Sequence, residues 1–136
     1  MKNTIHDAVE RHPVMPVLVI PELSMAAPLA EALALGGLTV FEITLRTPCA
    51  LEAIRQMKHA VPEALVGAGT VTTPERMAAA NAVKADFVVT PGTTPTLWAA
   101  GEALGMPMLP GFSTASEAMH LIALGCAFGK FFPAEA

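Results

Sequence analysis

The chain has 136 residues, of which 53% are apolar and 15% are charged, and its formal net charge is -4 at pH 7. This composition excludes a disordered chain, and the lack of a basic run argues against a nucleic-acid or polybasic membrane surface. The length suits one domain, and the longest apolar run, residues 14–20, is too short to span a bilayer.

The amino terminus, the cysteines and the histidines favour a cytoplasmic protein without a metal site. Residues 1–12 are polar and amphipathic, unlike a secretory signal peptide. Cys49 and Cys126 lie far apart and form no CxxC pair, so we expect no disulfide framework and a reducing compartment. No histidine has metal-ligand spacing to a carboxylate or a cysteine, so we predict that no metal is bound.

Strand-like and helix-like segments alternate after a leading helix at residues 3–11. Apolar, β-prone runs begin about 20–25 residues apart, the length of one strand-plus-helix unit. The six runs are residues 14–20, 38–45, 64–70, 86–90, 106–110 and 128–133. Helical segments follow the first five, at residues 21–37, 47–60, 72–83, 93–105 and 113–125. Thr47 and Thr73, each followed by a proline, are predicted N-caps.

This repeated order predicts a parallel α/β sheet, either doubly wound or a (β/α)8 barrel. Strand two favours the barrel because it is polar on one face. Alternate residues share a face, so Glu42 and Thr44 project to one side with Arg46 just beyond them. A strand at the edge of the sheet, with one face exposed to water, would show the same pattern of polar residues. We prefer the interior of a barrel mouth because other strands repeat the pattern.

Three further strands are expected to offer a polar residue to the same interior. By alternation these are Thr70, Thr90 and Lys130, and the lysine shares its face with Phe128 and Phe132. Active sites of such barrels lie at the carboxyl ends of the strands. The glycines before Thr70 lack the third glycine of a dinucleotide fingerprint, so we expect them to allow close backbone approach beside the site.

A lysine among apolar groups points to covalent chemistry. Burial lowers the pKa of an amine from about 10.4, and a neutral amine attacks a ketone to form a Schiff base. The protonated imine permits cleavage of a C–C bond, with Glu42 as the proton shuttle. For a 2-keto acid, Arg46 would be a bidentate partner of the carboxylate and Thr70 a hydroxyl partner. The alternative is a purely structural Lys130–Glu42 ion pair, but such pairs seldom outweigh their desolvation cost.

Six stretches of the chain resemble one enzyme family. They are VMPVLVI, GGLTVFEITLRTPCALEAI, VPEALVGAGTVTTPE, FVVTPG, MPMLPGFSTASE and GKFFPAEA. The combination of EITLRT, GAGTV and KFFPAE is highly specific. In order and spacing, nearly the whole chain is similar to the 2-keto-3-deoxy-6-phosphogluconate aldolase / 4-hydroxy-2-oxoglutarate aldolase family.

The resemblance implies a class I aldolase on a (β/α)8 barrel that needs no metal or other cofactor, acts on a small keto acid and is a homotrimer at full length. It makes Lys130 the Schiff-base lysine and Glu42 the general acid/base. Arg46 and Thr70 would hold the pyruvyl moiety. The other candidates for the substrate pocket are Thr90, Pro91, Gly92 and Phe132.

The resemblance also implies that part of the barrel lies outside this chain. Family members continue through two more strands and a glycine-rich phosphate-binding segment. Residues 1–136 are therefore expected to form one incomplete barrel domain that has open edges on its outer strands and is inactive alone. The choice between the phosphorylated six-carbon substrate and 4-hydroxy-2-oxoglutarate stays open. Rival interpretations are another barrel pyruvate aldolase or decarboxylase, and a non-catalytic chain.

Overall fold

The computed structural model describes residues 5–135. The helices are α1 (Ile5–Arg11), α2 (Ala26–Leu35), α3 (Ala50–Ala60), α4 (Pro74–Ala82), α5 (Pro95–Leu104) and α6 (Ala115–Ala123), and a 3-10 turn (Leu23–Met25) leads into α2. The strands are β1 (Val17–Leu18), β2 (Val40–Thr44), β3 (Leu65–Gly69), β4 (Val88–Val89), β5 (Met108–Leu109), β6 (Gly111–Phe112) and β7 (Lys130–Phe131). Helix α1 confirms the predicted leading helix from residue 5 onward; residues 3 and 4 lie outside the described part.

Neighbouring strands are parallel throughout. Strands β1 to β5 form one sheet in chain order, and β6 pairs with β7. The longest pairing joins β2 to β3, from Val40 opposite Leu65 to Thr44 opposite Gly69. A parallel sheet in which each strand lies beside the next along the chain confirms the predicted βα repeat.

The fifth strand extends past its predicted end at residue 110, and Pro110 separates its two parts, β5 and β6. Proline has no N–H, so it cannot continue a ladder as a donor. Strand β5 therefore pairs with β4 before Pro110, and β6 pairs with β7 after it. Pro110 thus lies where the pairing partner changes from β4 to β7.

Thr73 caps α4, as the sequence predicts, and accepts a hydrogen bond from the Arg76 N–H over 3.3 Å. The prediction that Thr47 caps α3 is wrong. That helix begins at Ala50, and the Thr47 hydroxyl donates instead to the Ile20 carbonyl over 2.7 Å. The hydroxyl therefore fastens the segment after β1 to the segment after β2. Among residues 5–135, no helix is long and apolar enough to cross a membrane.

Two apolar layers lie on the two faces of the sheet. An interior cluster, which α1 covers, consists of Ile5, Ala8, Val40, Phe87 and Val89. A larger helix-facing cluster takes the opposite face of the same strands: Phe41, Ile43, Val66, Ala68 and Val88. The alternation predicted for strand two is therefore confirmed, because Val40 lies in one layer and Phe41 and Ile43 in the other.

The predicted interior faces of strands three and four are wrong. Val66, Ala68 and Val88 pack on the helices, so the alternation of β4 carries Thr90 away from the interior. Gly67, Gly69, Phe87 and Val89 occupy the interior face instead. Thr70 follows its strand in the left-handed region, with a φ of 57°, so the alternation of β3 does not extend to it.

Candidate active site

Glu42 is a carboxylate buried in the middle of β2. Its flanking residues Phe41 and Ile43 are fully buried against the helices, which fixes the opposite face of the strand toward the interior. Glu42 itself is only 2% exposed. A charged group so far from water needs a compensating partner.

Lys130 on β7 is that partner, 88 residues further along the chain. Its Nζ lies 3.3 Å from Oε1 and 3.3 Å from Oε2 of Glu42. The ring centroid of Phe132 lies 5.3 Å from the same Nζ, which is within the range of a cation–π contact. The predicted juxtaposition of these three residues is therefore found. The enclosing apolar pocket is only partly present, because 24% of the lysine side chain is exposed among residues 5–135.

Burial raises the pKa of Glu42 above its ordinary value of 4.5, although the charge and hydrogen bond of Lys130 oppose the shift. The cost of desolvating the carboxylate is the larger effect. A carboxyl group whose pKa moves toward neutrality is better suited to accept a proton and return it. The pair thus combines an amine with a proton acceptor within hydrogen-bonding reach.

Two glycines of β3 leave the space that Glu42 and Phe87 occupy. A Cβ added at Gly69 would overlap the carboxylate of Glu42, and one added at Gly67 would overlap the Phe87 ring. The expectation of close approach at these glycines is confirmed, and the group that approaches is the Glu42 side chain itself. Gly69 therefore forms the wall that keeps the carboxylate against Lys130.

Gly69→Ala is expected to destabilise the folded protein by about 1–3 kcal/mol, the usual cost of forcing extra volume into a packed core. The new methyl group and the Glu42 carboxylate cannot occupy the same space. Urea denaturation of the protein at its natural length measures the loss. Gly92→Ala is the matched control, since a Cβ there meets nothing within 4 Å. Equal stability of Gly69→Ala and wild type would show that the carboxylate moves freely.

The other predicted residues of strands two and three surround this pair less closely. The Thr44 hydroxyl donates to the Leu18 carbonyl over 2.9 Å and fastens β2 to β1. Arg46 is exposed and makes no hydrogen bond or ion pair with the rest of residues 5–135. The carbonyl of Thr70 accepts a hydrogen bond from Arg76 Nη1 over 2.9 Å. Arg46 is thus a cation without an internal partner, just beyond the strand that carries Glu42.

Thr90 is fully buried and its hydroxyl is engaged within the protein. It accepts a hydrogen bond from the Gly111 N–H over 3.0 Å and lies 3.1 Å from the Thr93 hydroxyl. The prediction that Thr90 faces substrate is therefore corrected: its side chain holds the neighbouring strand. Pro91 is half-buried and Gly92 exposed in the bend after β4. Thr93 was missed because no spacing in the sequence pairs it with residue 111.

No group of three or more His, Cys, Asp and Glu side chains among residues 5–135 is placed to hold a metal ion. The candidate site consists of a lysine and a carboxylate on the interior face of a parallel α/β sheet, with a phenylalanine ring beside the lysine. That combination defines a class of protein: parallel α/β folds with a lysine–carboxylate pair on the interior face of the sheet.

Comparison with known proteins gives the particular family within that class. Residues 5–136 match the family described as "Aldolase: KDPG and KHG aldolase". The 2-dehydro-3-deoxy-phosphogluconate aldolase of Dickeya dadantii is 47% identical over 135 residues, which are 99% of this chain and 63% of that protein. The chain belongs to the KDPG and KHG aldolase family.

Two solved structures support the same placement. The 2-keto-3-deoxy-6-phosphogluconate aldolase of Zymomonas mobilis with 3-phosphoglycerate superposes with a TM-score of 0.92 at 47% identity, covering 99% of this chain and 64% of that one. The Legionella pneumophila KDPG aldolase, with pyruvate captured as a covalent carbinolamine, gives 0.86 at 46% identity, covering 90% and 60%. The incomplete barrel is thus confirmed, and the chain spans just under two thirds of the length of these relatives.

Proposed function

We propose that the protein carrying this chain is a class I aldolase that cleaves a 2-keto acid through a Schiff base on Lys130. The observation that carries this is the approach of Lys130 Nζ to within 3.3 Å of both Glu42 oxygens. A purely structural ion pair would serve the fold poorly, because burial of the carboxylate costs more than the lysine returns, as the raised pKa of Glu42 indicates. The covalent carbinolamine of the Legionella relative supports the same chemistry.

The reaction follows from these groups. Lys130 Nζ attacks the C2 carbonyl carbon of the keto acid to give a carbinolamine, and loss of water leaves a protonated imine. Glu42 accepts the proton that Nζ loses and donates one to the departing hydroxyl. A base then takes the C4 hydroxyl proton, the C3–C4 bond breaks, and its electron pair moves toward the imine. The aldehyde leaves, C3 is protonated, and water releases pyruvate.

The remaining candidates would hold the substrate around this lysine. The exposed guanidinium of Arg46 has no hydrogen-bond or ion-pair partner among residues 5–135 and suits the substrate carboxylate. Thr70 would donate to the pyruvyl moiety. Pro91, Gly92 and Phe132 would wall the pocket, and the ring of Phe132 already lies beside the lysine. We assign Thr90 to the support of this wall and not to substrate binding.

The substrates we propose are 2-keto-3-deoxy-6-phosphogluconate, cleaved to pyruvate and glyceraldehyde 3-phosphate, and 4-hydroxy-2-oxoglutarate, cleaved to pyruvate and glyoxylate. Both present the same pyruvyl half to Lys130, and they differ in the leaving aldehyde. Release of pyruvate from each compound, by the protein at its natural length, tests the proposal. Failure to cleave either compound would overturn it, and pyruvate from a different keto acid alone would indicate another barrel aldolase or decarboxylase.

Arg46→Lys is expected to raise KM for the keto acid roughly tenfold and to change kcat little, since a point charge replaces a two-pronged donor. Steady-state kinetics measures the two constants separately. Arg55→Lys is the matched control, because Arg55 pairs with Glu52 on the exposed face of α3. A fall in kcat with an unchanged KM would assign Arg46 to the chemical step.

We further propose that residues 1–136 belong to one barrel domain and that the protein at its natural length is a cytoplasmic homotrimer. The support is the family membership of the chain. Light scattering coupled to gel filtration measures the subunit number. A monomer or a dimer would contradict the trimer.

A further inference from the structure

The chain segment that pairs with β7 is interrupted at Pro110, immediately before the β6–β7 pairing begins. Pro110 separates β5 from β6 and offers no N–H to either neighbour. Before Pro110 the chain pairs with β4, and after it the chain pairs with β7, which carries Lys130. Some other contact must therefore fix Gly111, the first residue after the interruption.

The Thr90 hydroxyl makes the first of those contacts by extending the ladder. The register pairs Val89 with Leu109, and the Thr90 N–H donates to the Leu109 carbonyl over 3.3 Å. In a regular parallel ladder, the Gly111 N–H would then donate to the Thr90 carbonyl. It donates instead to the Thr90 hydroxyl over 3.0 Å. The Thr90 side chain thus replaces the backbone carbonyl as the acceptor for the Gly111 N–H.

Thr93 completes a closed ring of hydrogen bonds. Its hydroxyl donates to the Gly111 carbonyl over 3.0 Å, and the hydroxyls of Thr93 and Thr90 are 3.1 Å apart. A hydroxyl has one hydrogen. Because Thr93 gives its hydrogen to Gly111, the Thr90 hydroxyl must be the donor to Thr93. Both backbone polar groups of Gly111 are thereby held by side chains, and each hydrogen in the ring is used once.

Gly111 is in turn the register partner of Lys130. The Lys130 N–H donates to the Pro110 carbonyl over 2.8 Å, and the Phe132 N–H donates to the Phe112 carbonyl over 3.0 Å. A Cβ at Gly111 would overlap the backbone of Thr90 and Pro91, so this contact is too close for any other residue. A shift of Gly111 would therefore move the backbone of Lys130.

We propose that Thr90 and Thr93 are positioning residues, which hold Lys130 in reach of Glu42 through Gly111 and the β6–β7 pairing. The inference rests on the proposed function for its effect on turnover, but the clamp itself is a property of the fold. Neither hydroxyl needs to touch substrate. Their removal should lower kcat more than it raises KM, because Arg46 and Thr70, which we propose to bind the keto acid, follow the other strands β2 and β3.

The test uses Thr90→Val, which keeps the shape and removes the hydroxyl, and Thr90→Ser, which restores it. In the protein at its natural length, we expect Thr90→Val to slow borohydride trapping of pyruvate about tenfold to a hundredfold, the effect of displacing a reacting group by about 1 Å. Thr90→Ser should recover most of that rate. Thr93→Val should act in the same direction, and it tests the ring even if Thr90→Val does not fold.

Thr94→Val is the matched control. The Thr94 hydroxyl caps α5 by accepting a hydrogen bond from the Leu97 N–H over 3.2 Å, whereas the hydroxyls that bond to Gly111 are those of Thr90 and Thr93. Its loss should weaken the helix without slowing the trapping. The inference is overturned if Thr90→Val and Thr93→Val both trap pyruvate at the wild-type rate, or if Thr94→Val slows trapping as much as they do.

Amide hydrogen exchange separates failure of the clamp from failure of the proposed function. In Thr90→Val the Lys130 amide should exchange at least about tenfold faster, relative to the Leu65 amide, which bonds to the Thr39 carbonyl between β3 and β2. Faster exchange at Lys130 in a protein whose wild type traps no pyruvate would support the clamp and reject the aldolase. Unchanged exchange in a wild-type protein that does trap pyruvate would reject only the clamp.

Discussion

In the protein at its natural length, borohydride added with pyruvate should leave one stable adduct, on Lys130, and Lys130→Arg should leave none. Hydride reduces the imine carbon and converts the Schiff base into a secondary amine that survives digestion. A guanidinium stays protonated and cannot form the imine, so the substitution keeps the positive charge near Glu42 and removes only the chemistry. Mass spectrometry of the digested protein locates the adduct.

Lys84→Arg is the control for this experiment, because Lys84 is exposed on the turn after α4 and lies outside the site. That variant should trap pyruvate as wild type does. An adduct on any peptide other than the one with Lys130, or the same yield from Lys130→Arg, would remove the lysine from its proposed role. The aldol cleavage proposed above would then need another nucleophile.

The alternation of strand two was sufficient to predict which face of the sheet carries the Glu42 side chain. Val40 and Glu42 face the interior and Phe41 and Ile43 face the helices, as a period of two predicts. Lys130 follows by the same rule, since Phe132 lies on its face and Phe131 packs with Phe112, at a centroid distance of 5.7 Å. On β2 and β7 the alternation therefore gave correct predictions of side-chain direction.

The same rule gave a wrong result for β3 and β4, and the reason is volume. Val66 and Ala68 look like natural interior residues beside two glycines, but the interior face has no room for a side chain there. Phe87 and the Glu42 carboxylate already fill that space from the neighbouring strands. Only the packing across strands shows that glycine is the inward residue, and a single strand's pattern does not contain that information.

Thr90 shows a second limit of sequence reasoning. Its hydroxyl accepts a hydrogen bond from the N–H of Gly111, the residue after Pro110 in another strand. The proline was visible in the sequence, but its consequence depends on which strands lie beside it and where the partner changes. The roles of Arg46, Thr70, Pro91, Gly92 and Phe132 stay predictions, because only contact with a bound keto acid would test them.

Glu42→Gln should lower kcat by about 10²–10⁴, the range for a positioned general acid or base. Glutamine matches the carboxylate in shape and can still contact Lys130 Nζ through its amide oxygen, but it cannot accept a proton from the amine or return one to the carbinolamine. Binding of the keto acid should change less than turnover, since Arg46 is untouched. Glu52→Gln, on the exposed face of α3, is the matched control. Full turnover by Glu42→Gln would assign the proton transfers to another group or to water.

The same variant should also change how stability depends on pH. Because the pKa of Glu42 is raised above 4.5 in the folded protein, the folded state holds this proton more tightly than the unfolded chain does. Its contribution to stability is full below pH 4.5 and is lost as the pH rises through the folded-state pKa. Glutamine has no such titration. Urea denaturation at a series of pH values measures the free energy of unfolding of both proteins. The value for Glu42→Gln minus the value for wild type should increase across this window and stay constant above it. A difference that shrinks as the pH rises would mean that the attraction of Lys130 outweighs the desolvation of the carboxylate, and that the buried pair stabilises the fold.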